Sequence, residues 1–384
     1  MQEYQQKIGE LIARIRNQRG LTQKELADKL GTSQSAINRI EAGKQNVTLE
    51  MLARISDVLN KELISLGSNS LNLKVEGGHK LHGAIDVKVS KNATVGLLCA
   101  ALLNKGTTTL KKAPRIEEVF RLIEVLQSIG VKVTWFDNGD LEIKPPKVLN
   151  LAGMDVKAAR RTRSVIMYLG SLMHQYKEFK LPYAGGCKLG KRTVAPHLYA
   201  LEEFGVQVAT KNNYYHATIK KKQARDVTLY EMGETVSENV LMAAALTDGV
   251  TILRNISSNY MVQDMCFFLE VCGVKIEGIG SNTLTVHGIK DINKDVTYAP
   301  SEDPIEAMSF LSAGITTNSH ITIRRSPINF LRVELLRLEK MGCKFRISKT
   351  YLAENGKTEL VDITTLETDN LKAPEDKIHA LTHP

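Results

Sequence analysis

The sequence has little to stack with and nothing long enough to span a bilayer. Aromatic residues make up 5% of the 384, with one tryptophan, so stacking on bases is not expected to dominate any contact with nucleic acid. No apolar stretch approaches the ~18 residues of a membrane-spanning helix. The opening Met1-Gln2-Glu3-Tyr4-Gln5-Gln6-Lys7 lacks the apolar region of a signal peptide. Five cysteines, an odd number in a long chain, do not read as a disulfide framework. These absences lead us to expect a soluble, cytoplasmic protein. What is present is ordinary: 43% hydrophobic and 24% charged residues, a globular balance that argues against a disordered or fibrous chain. At roughly 100–200 residues per domain the chain is too long for one simple domain.

The net charge is +9, from 51 Lys plus Arg against 42 Asp plus Glu. Residues 1–66 carry 10 basic and 8 acidic side chains, so +7 belongs to residues 67–384. A basic excess suits nucleic acid, phosphates or carboxylates. Most of it lies outside the segment that best reads as a DNA binder, so small anionic substrates explain it as well as DNA does.

Residues 1–66 read as short helices separated by turn signals. Ile8, Leu11, Ile12 and Ile15 share one helical face, and Arg19-Gly20 ends that helix. Thr22 with Glu25 three residues on has capping-box spacing. Leu26, Ala27 and Leu30 follow as an apolar face, Gly31 turns the chain, and Ser33 starts a third helix with Ile37 and Ile40 inward. Thr48 opens a fourth helix. Gln34, Ser35, Asn38 and Arg39 then point outward, side chains suited to base edges and phosphates. The run Thr22–Ala27 followed by Gly31–Glu41 resembles the helix-turn-helix of Cro-like phage repressors. That resemblance implies that Gln34, Ser35 and Asn38 face bases and that Gln23 and Arg39 lie nearer the DNA backbone. The alternative is a helical protein-binding module with a solvated polar face. We expect a helix-turn-helix domain at 1–66, a linker at 67–72 within the polar stretch Asn60–Asn72, and a second region at 73–384. A homodimer on a palindromic site follows from repressor logic.

Beyond residue 73 a unit repeats. Leu126–Val133, Leu201–Val208, Leu269–Ile276 and Leu338–Phe345 each carry a helix end, a glycine and a strand start, with glycines 75, 68 and 69 residues apart. Each is preceded by another apolar helix, around Leu97–Leu103, Val165–Leu172, Val240–Leu246 and Ala307–Ala313. The unit is helix, strand, helix capped by glycine, strand, strand. This predicts an α/β architecture with mixed sheets, built from four units of ~70 residues, the fourth closing around Phe345–Ile347.

The stretch Leu181–Arg192 stands out. Cys187 lies behind Gly185 and Gly186, with Lys188, Lys191 and Arg192 close by, a setting that lowers a thiol pKa. Cys99 and Cys266 sit in apolar helical runs and Cys272 and Cys343 beside the capping glycines, as small core residues do. No His or Cys spacing near them suggests a metal site.

These motifs resemble the enolpyruvyl transferases, and within them the UDP-N-acetylglucosamine 1-carboxyvinyltransferases. The match runs through Gly77-Gly78, Leu81-His82-Gly83, Ser90-Lys91-Asn92-Ala93, Arg163, the Gly-Gly-Cys loop, Ser237-Glu238-Asn239 and Glu302–Ala307. The related shikimate-pathway enzyme lacks the Gly-Gly-Cys motif, which favours the cell-wall branch. The resemblance implies an inside-out α/β barrel of six units in two domains, with the site in the cleft between them. It also implies transfer of the enolpyruvyl group of phosphoenolpyruvate to the sugar 3-hydroxyl of UDP-N-acetylglucosamine, the step that begins peptidoglycan synthesis. Cys187 matches the general acid; Lys91 and Arg192 match groups holding phosphate and carboxylate; Asn92 matches a positioning amide and Arg163 an arginine of the sugar-nucleotide site. No metal or redox cofactor is implied. The bland readings are a solvated strand-end lysine for Lys91, membership of the basic cluster at 157–161 for Arg163, and an inert thiol for Cys187.

The sequence departs from the family pattern in two places. Arg192-Thr193-Val194-Ala195-Pro196 replaces Arg-Pro-Val-Asp-Leu, and Met232-Gly233-Glu234-Thr235 replaces a Ser-Val-Gly segment that contacts uridine. The chemistry of phosphoenolpyruvate is therefore better kept than nucleotide recognition. A regulator whose transferase-like region senses a ligand is the competing expectation. Four units of an expected six suggest that about two units of ~70 residues lie beyond Pro384, so that these residues alone would bind DNA without transferring enolpyruvate. Asp303 falls at the start of the fourth unit's first helix, and is not the family's catalytic aspartate.

Overall fold

The computed structural model describes residues 2–59, 77–183, 185, 193–368 and 370–374. It divides into two compact units, Met1–Gly77 and Gly78–Pro384; the boundaries expected at 66 and 73 fall in a stretch outside the described residues. Among the described residues no helix is long and apolar enough to cross a membrane.

The first unit holds four helices: α1 (Gln2–Gln18), α2 (Gln23–Leu30), α3 (Gln34–Glu41) and α4 (Leu49–Leu59). Its signals are local. Thr22 and Glu25 form the reciprocal capping box at the start of α2, and Gly31 leaves α2 in the left-handed region at φ 62°. The Ser33 hydroxyl accepts from Ala36 N–H to start α3. Ile12, Ile15, Leu26, Leu30, Ile37, Ile40 and Ile55 close one apolar core. Beside it Arg16 makes a two-pronged pair with Glu41, Nε to Oε1 at 2.5 Å and Nη2 to Oε2 at 2.9 Å. Both side chains are over nine-tenths buried.

The second unit opens with β1 (His82–Asp86). The first repeat follows as α5 (Lys91–Ala100), β2 (Thr108–Leu110), α6 (Glu117–Ser128), β3 (Lys132–Trp135) and β4 (Leu141–Lys144). The second is α7 (Val156–Ala159), α8 (Tyr168–Leu172), β5 (Glu178–Pro182), α9 (Ala195–Glu202), β6 (Val206–Lys211) and β7 (Tyr214–Ile219). After β8 (Asp226–Thr228) comes the third: α10 (Glu234–Ala245), β9 (Gly249–Arg254), α11 (Tyr260–Cys272), β10 (Lys275–Glu277) and β11 (Thr283–Gly288). After β12 (Val296–Tyr298) comes the fourth: α12 (Pro304–Thr316), β13 (His320–Pro327), α13 (Arg332–Lys340), β14 (Lys344–Ile347), β15 (Tyr351–Leu352) and β16 (Glu359–Leu366). The fourth unit therefore closes at β16, past Ile347. The short strand β15 and the turn after it separate β14 from β16, so the local pattern fades before the last strand pairs.

The repeat glycines Gly130, Gly205, Gly273 and Gly342 all have positive φ, between 83° and 103°. Within each repeat the three strands pair antiparallel, the third strand in the middle: β2-β4-β3, β5-β7-β6, β9-β11-β10 and β13-β16-β14. Three sheets add one parallel strand from elsewhere in the chain: β12 on β2, β8 on β9 and β1 on β13. The β12–β2 pairing brings the end of the third repeat back to the first. Asn104 fastens it, its amide donating to Thr108 Oγ1 and Lys294 O at 3.1 and 2.8 Å. Gly106 must be glycine here, because a Cβ would stand 2.5 Å from Lys294 O.

The helices of the first three repeats share one continuous core, while the fourth repeat with Val87 forms a second, around Leu311, Ile323 and Ile363. Cys99, Cys266, Cys272 and Cys343 are buried free thiols. Burial raises the pKa of each, that of Cys272 to about 12, so they are inert core residues.

Candidate functional site

Two expected residues begin α5. Ser90 caps it, its hydroxyl accepting from Ala93 N–H, which sets Lys91 and Asn92 on the first turn. The Lys91 ammonium pairs with Glu118 Oε2 at 2.6 Å, with about a third of each side chain exposed. Glu118 stands in the first turn of α6, and its other oxygen accepts from the Ser164 hydroxyl at 3.4 Å. Ser164 follows Arg163, which is half-buried at the start of a 3-10 turn. Glu118 thus links the start of α5 to the segment that carries Arg163.

The Asn92 amide donates to the Tyr260 hydroxyl at 3.2 Å. Tyr260, the first residue of α11, is buried, and burial pushes its phenol up to about 12 against the hydrogen bonds from Ser90 and Asn92. Its ring meets Phe330 edge-on at 5.9 Å between centroids. Phe330 belongs to the fourth repeat, so Tyr260 joins the first-repeat helix start to that repeat.

Glu238 lies on α10 and is buried, with Oε1 lacking a hydrogen-bond partner. Burial, reinforced by Glu234 and Asp264, holds its carboxyl well above the usual carboxylate range. Next to it, Asn239 accepts from Gly170 N–H at 2.8 Å, which fixes the amide so that Nδ2 donates to Ile166 O and His197 Nδ1. His197 then carries its proton on Nε2, 3.4 Å from Thr235 Oγ1. Burial first, and the charge of Arg163 second, lower His197 to about 4. The imidazole is neutral at pH 7.

Cys187 and Arg192 lie outside the described residues, as do Lys188 and Lys191. Their flanks are placed: Tyr183 packs on Tyr215 with ring centroids 4.8 Å apart. At Gly185 a Cβ would stand 1.4 Å from Arg160 O, so glycine lets the chain pass against the Arg160 backbone. Asp303 caps α12, its Oδ1 accepting from Ile305 and Glu306 N–H.

In the first unit Gln34, Ser35, Asn38 and Arg39 are all exposed on α3. Arg39 Nε donates to Gln45 at 3.1 Å, and Ser35 shares a hydroxyl contact with Ser33. Gln23 differs: its amide donates to Glu41 Oε2 at 2.8 Å, joining the Arg16 pair.

Sequence reasoning assigned no role to Glu118, Tyr260 or His197. Tyr260 carried no sequence signal, because its partners Asn92 and Phe330 are far away in the chain. Glu238 did carry one: the polar triplet Ser237-Glu238-Asn239 stands directly before the apolar run Val240–Leu246.

The fold and these helix starts define a repeat α/β protein of the enolpyruvyl transferase type carrying an amino-terminal helix-turn-helix. Residues 75–378 match the family EPSP synthase (3-phosphoshikimate 1-carboxyvinyltransferase), and residues 12–66 match a helix-turn-helix family. The chain belongs to the EPSP synthase family. It is 36% identical over 273 residues to the UDP-N-acetylglucosamine 1-carboxyvinyltransferase of Bradyrhizobium diazoefficiens, which covers 71% of this chain and 63% of that protein. It is 32% identical over 305 residues to the protein of the same name from Campylobacter lari, covering 79% and 72%. The chain thus spans about two thirds of the length of these relatives. Among solved structures it resembles the enolpyruvyl transferase NikO from Streptomyces tendae, with TM-score 0.62, 20% identity and coverage of 74% of this chain and 66% of that one. An EPSP synthase from Acinetobacter baumannii follows at TM-score 0.58, 18% identity and 76% and 66% coverage.

Proposed function

We propose that the protein is an enolpyruvyl transferase that moves the enolpyruvyl group of phosphoenolpyruvate to a UDP-sugar, UDP-N-acetylglucosamine first among candidates, with the helix-turn-helix as a DNA-binding regulatory module. The observation that carries this reading is the cluster at the start of α5. There Lys91 pairs with Glu118, which also accepts from Ser164 beside Arg163, and Asn92 donates to Tyr260; Lys91, Asn92 and Arg163 match substrate-holding residues of the family.

In this reading the acceptor hydroxyl gives its proton to a base as its oxygen bonds to carbon 2 of phosphoenolpyruvate, while Cys187 delivers a proton to carbon 3. Loss of a proton from carbon 3 then expels the phosphate, leaving the enol ether. Lys91 and Arg192 hold the anionic groups while charge shifts during addition, and Asn92 positions the substrate. Arg163 serves the sugar-nucleotide site, beside a His197 ring that adds no competing charge.

The competing reading is a transcription regulator whose transferase-like unit senses a ligand. The altered segments at 192–196 and 232–235 favour it. The test is phosphate release from phosphoenolpyruvate by the complete protein with several UDP-sugars. Release dependent on an acceptor supports transfer. Binding of phosphoenolpyruvate or a UDP-sugar that shifts DNA affinity, with no release, supports the sensor.

A further inference from the structure

Where residues 86–89 and 299–302 run side by side, a cavity of about 540 Å³ opens. The two segments are held together by Ser90 N–H to Ser301 O, Asp303 N–H to Lys88 O, and a bridge between Val89 and Glu302. They are also the stretches of chain that connect the core of the first three repeats to that of the fourth. None of Lys91, Asn92 and Arg163 lines this cavity, so it is separate from the cluster at the start of α5.

Five cationic and three acidic side chains line it, leaving an excess of positive charge. Lys88 and Arg115 are exposed and have no acidic partner among the described residues; Arg115 rests over the Trp135 ring at 4.9 Å. Lys112 shares Glu354 with Lys111, at 3.4 and 2.5 Å. At the other end Arg325 pairs with Glu302, whose side chain is 4% exposed and whose second oxygen, Oε2, is buried without a hydrogen-bond partner. A buried acceptor of this kind is costly unless a donor reaches it.

The backbone adds an independent mark. Lys112 and Arg325 are not glycines, yet they sit at φ 49° and 61°. Arg325 is held there within the register shift of β13, its N–H donating to Tyr351 Oη and Asp362 Oδ1, both at 3.1 Å. Lys112 N–H is held by Asp140 Oδ1 at 3.0 Å. Left-handed non-glycine residues persist only where surroundings fix them, and they gather at ligand sites. Here both present a cationic side chain to one cavity.

We propose that this cavity binds a hydroxylated phosphate monoester, a sugar or polyol phosphate, with the phosphate held by Lys88, Lys112 and Arg115 and a hydroxyl donating to Glu302 Oε2. Three cations suit a dianion better than a single carboxylate. The buried acceptor demands a donor that inorganic phosphate at the cationic end does not bring to it. The volume is that of a small-ligand site. A ligand there touches both connecting segments, so occupancy ties the two cores together.

Calorimetric titration of the protein at low ionic strength tests this, with glucose 6-phosphate, glycerol 3-phosphate, inorganic phosphate and glucose as probes. At least one of the two esters is expected to bind one per chain, about tenfold tighter than inorganic phosphate, with glucose silent. Lys88→Ala with Arg115→Ala, both at exposed positions, should weaken ester and inorganic phosphate alike by about tenfold or more. Glu302→Gln should erase the preference for the ester and leave inorganic phosphate unchanged. Lys180→Ala, at an exposed lysine that does not line the cavity, should leave all of these intact. Failure of both esters to bind, binding indifferent to the Lys88 and Arg115 changes, or binding lost equally with Lys180→Ala would each overturn the proposal. The reading of the α5 cluster stands or falls separately.

Discussion

The carboxyl of Glu238 occupies the space that a side chain on Gly96 would need: a Cβ there would stand 2.2 Å from Glu238 Oε1. Gly96 is in the middle of α5, where glycine is a poor helix former, so its presence reflects this close approach between α5 and α10. Gly96→Ala is therefore expected to destabilise the second unit by about 1–3 kcal/mol through overpacking. Urea denaturation of the single and double variants measures it. Combined with Glu238→Ala, the loss should be smaller than the sum of the two single losses; strict additivity would show that the two groups do not compete for the same space.

His197 and His174 are both buried and both lowered to about 4, His197 by burial and Arg163, His174 by burial and Lys222. A base whose folded pKa lies below its unfolded value of 6.5 stabilises the fold fully above that value. The contribution is lost as pH falls towards 4, because the unfolded chain then binds the proton the folded one refuses. For His197 the loss reaches roughly 3 kcal/mol at the acid end. The urea midpoint should drop between pH 7 and 4.5, and His197→Gln should flatten that slope. An unchanged slope would mean that this imidazole is not held neutral.

The buried pair of Arg16 and Glu41 ties α1 to the end of α3. Glu41→Ala strands a buried guanidinium and leaves the Gln23 amide without its acceptor, costing roughly 3 kcal/mol. Hydrogen exchange followed residue by residue should show residues 8–59 losing protection while the second unit keeps it.

On the reading of α3 as a DNA-facing helix, Asn38→Ala should relax sequence preference, costing ~1–3 kcal/mol on the preferred site, while Arg39→Ala should weaken binding evenly across sequences. Gel shifts against specific and random duplexes separate the two. Absence of any shift at low salt would remove the repressor reading.

Cys187→Ser is expected to abolish enolpyruvyl transfer by the complete protein. It should also block alkylation by an epoxide analogue of phosphoenolpyruvate, read by mass spectrometry. Normal turnover by the serine variant would end the general-acid assignment.

The sequence alone determined whatever is settled within a few residues. Thr22 and Ser33 start their helices by bonding to N–H groups three residues on. The four glycines at 130, 205, 273 and 342 reverse the chain because each accepts positive φ without strain. The helix-turn-helix, the repeat and the fourfold order of helix, strand, helix, strand, strand were legible for that reason. Tertiary structure alone decided the partners. Alternation of apolar residues marks a strand but does not name its neighbour, so the parallel pairings β1–β13, β2–β12 and β8–β9 could not be read. Nor could the closing of the fourth repeat on β16. At the site, Lys91 and Asn92 were visible as residues. What holds them was not: Glu118 is 27 residues away and Tyr260 is 168, and a contact at such separation exists only once two helix starts have been packed together. Gln23 makes the same point in the small unit. Its type suited a DNA phosphate, but folding brought Glu41 within 2.8 Å of its amide, and a carboxylate at that distance is a stronger local partner than sequence position could reveal.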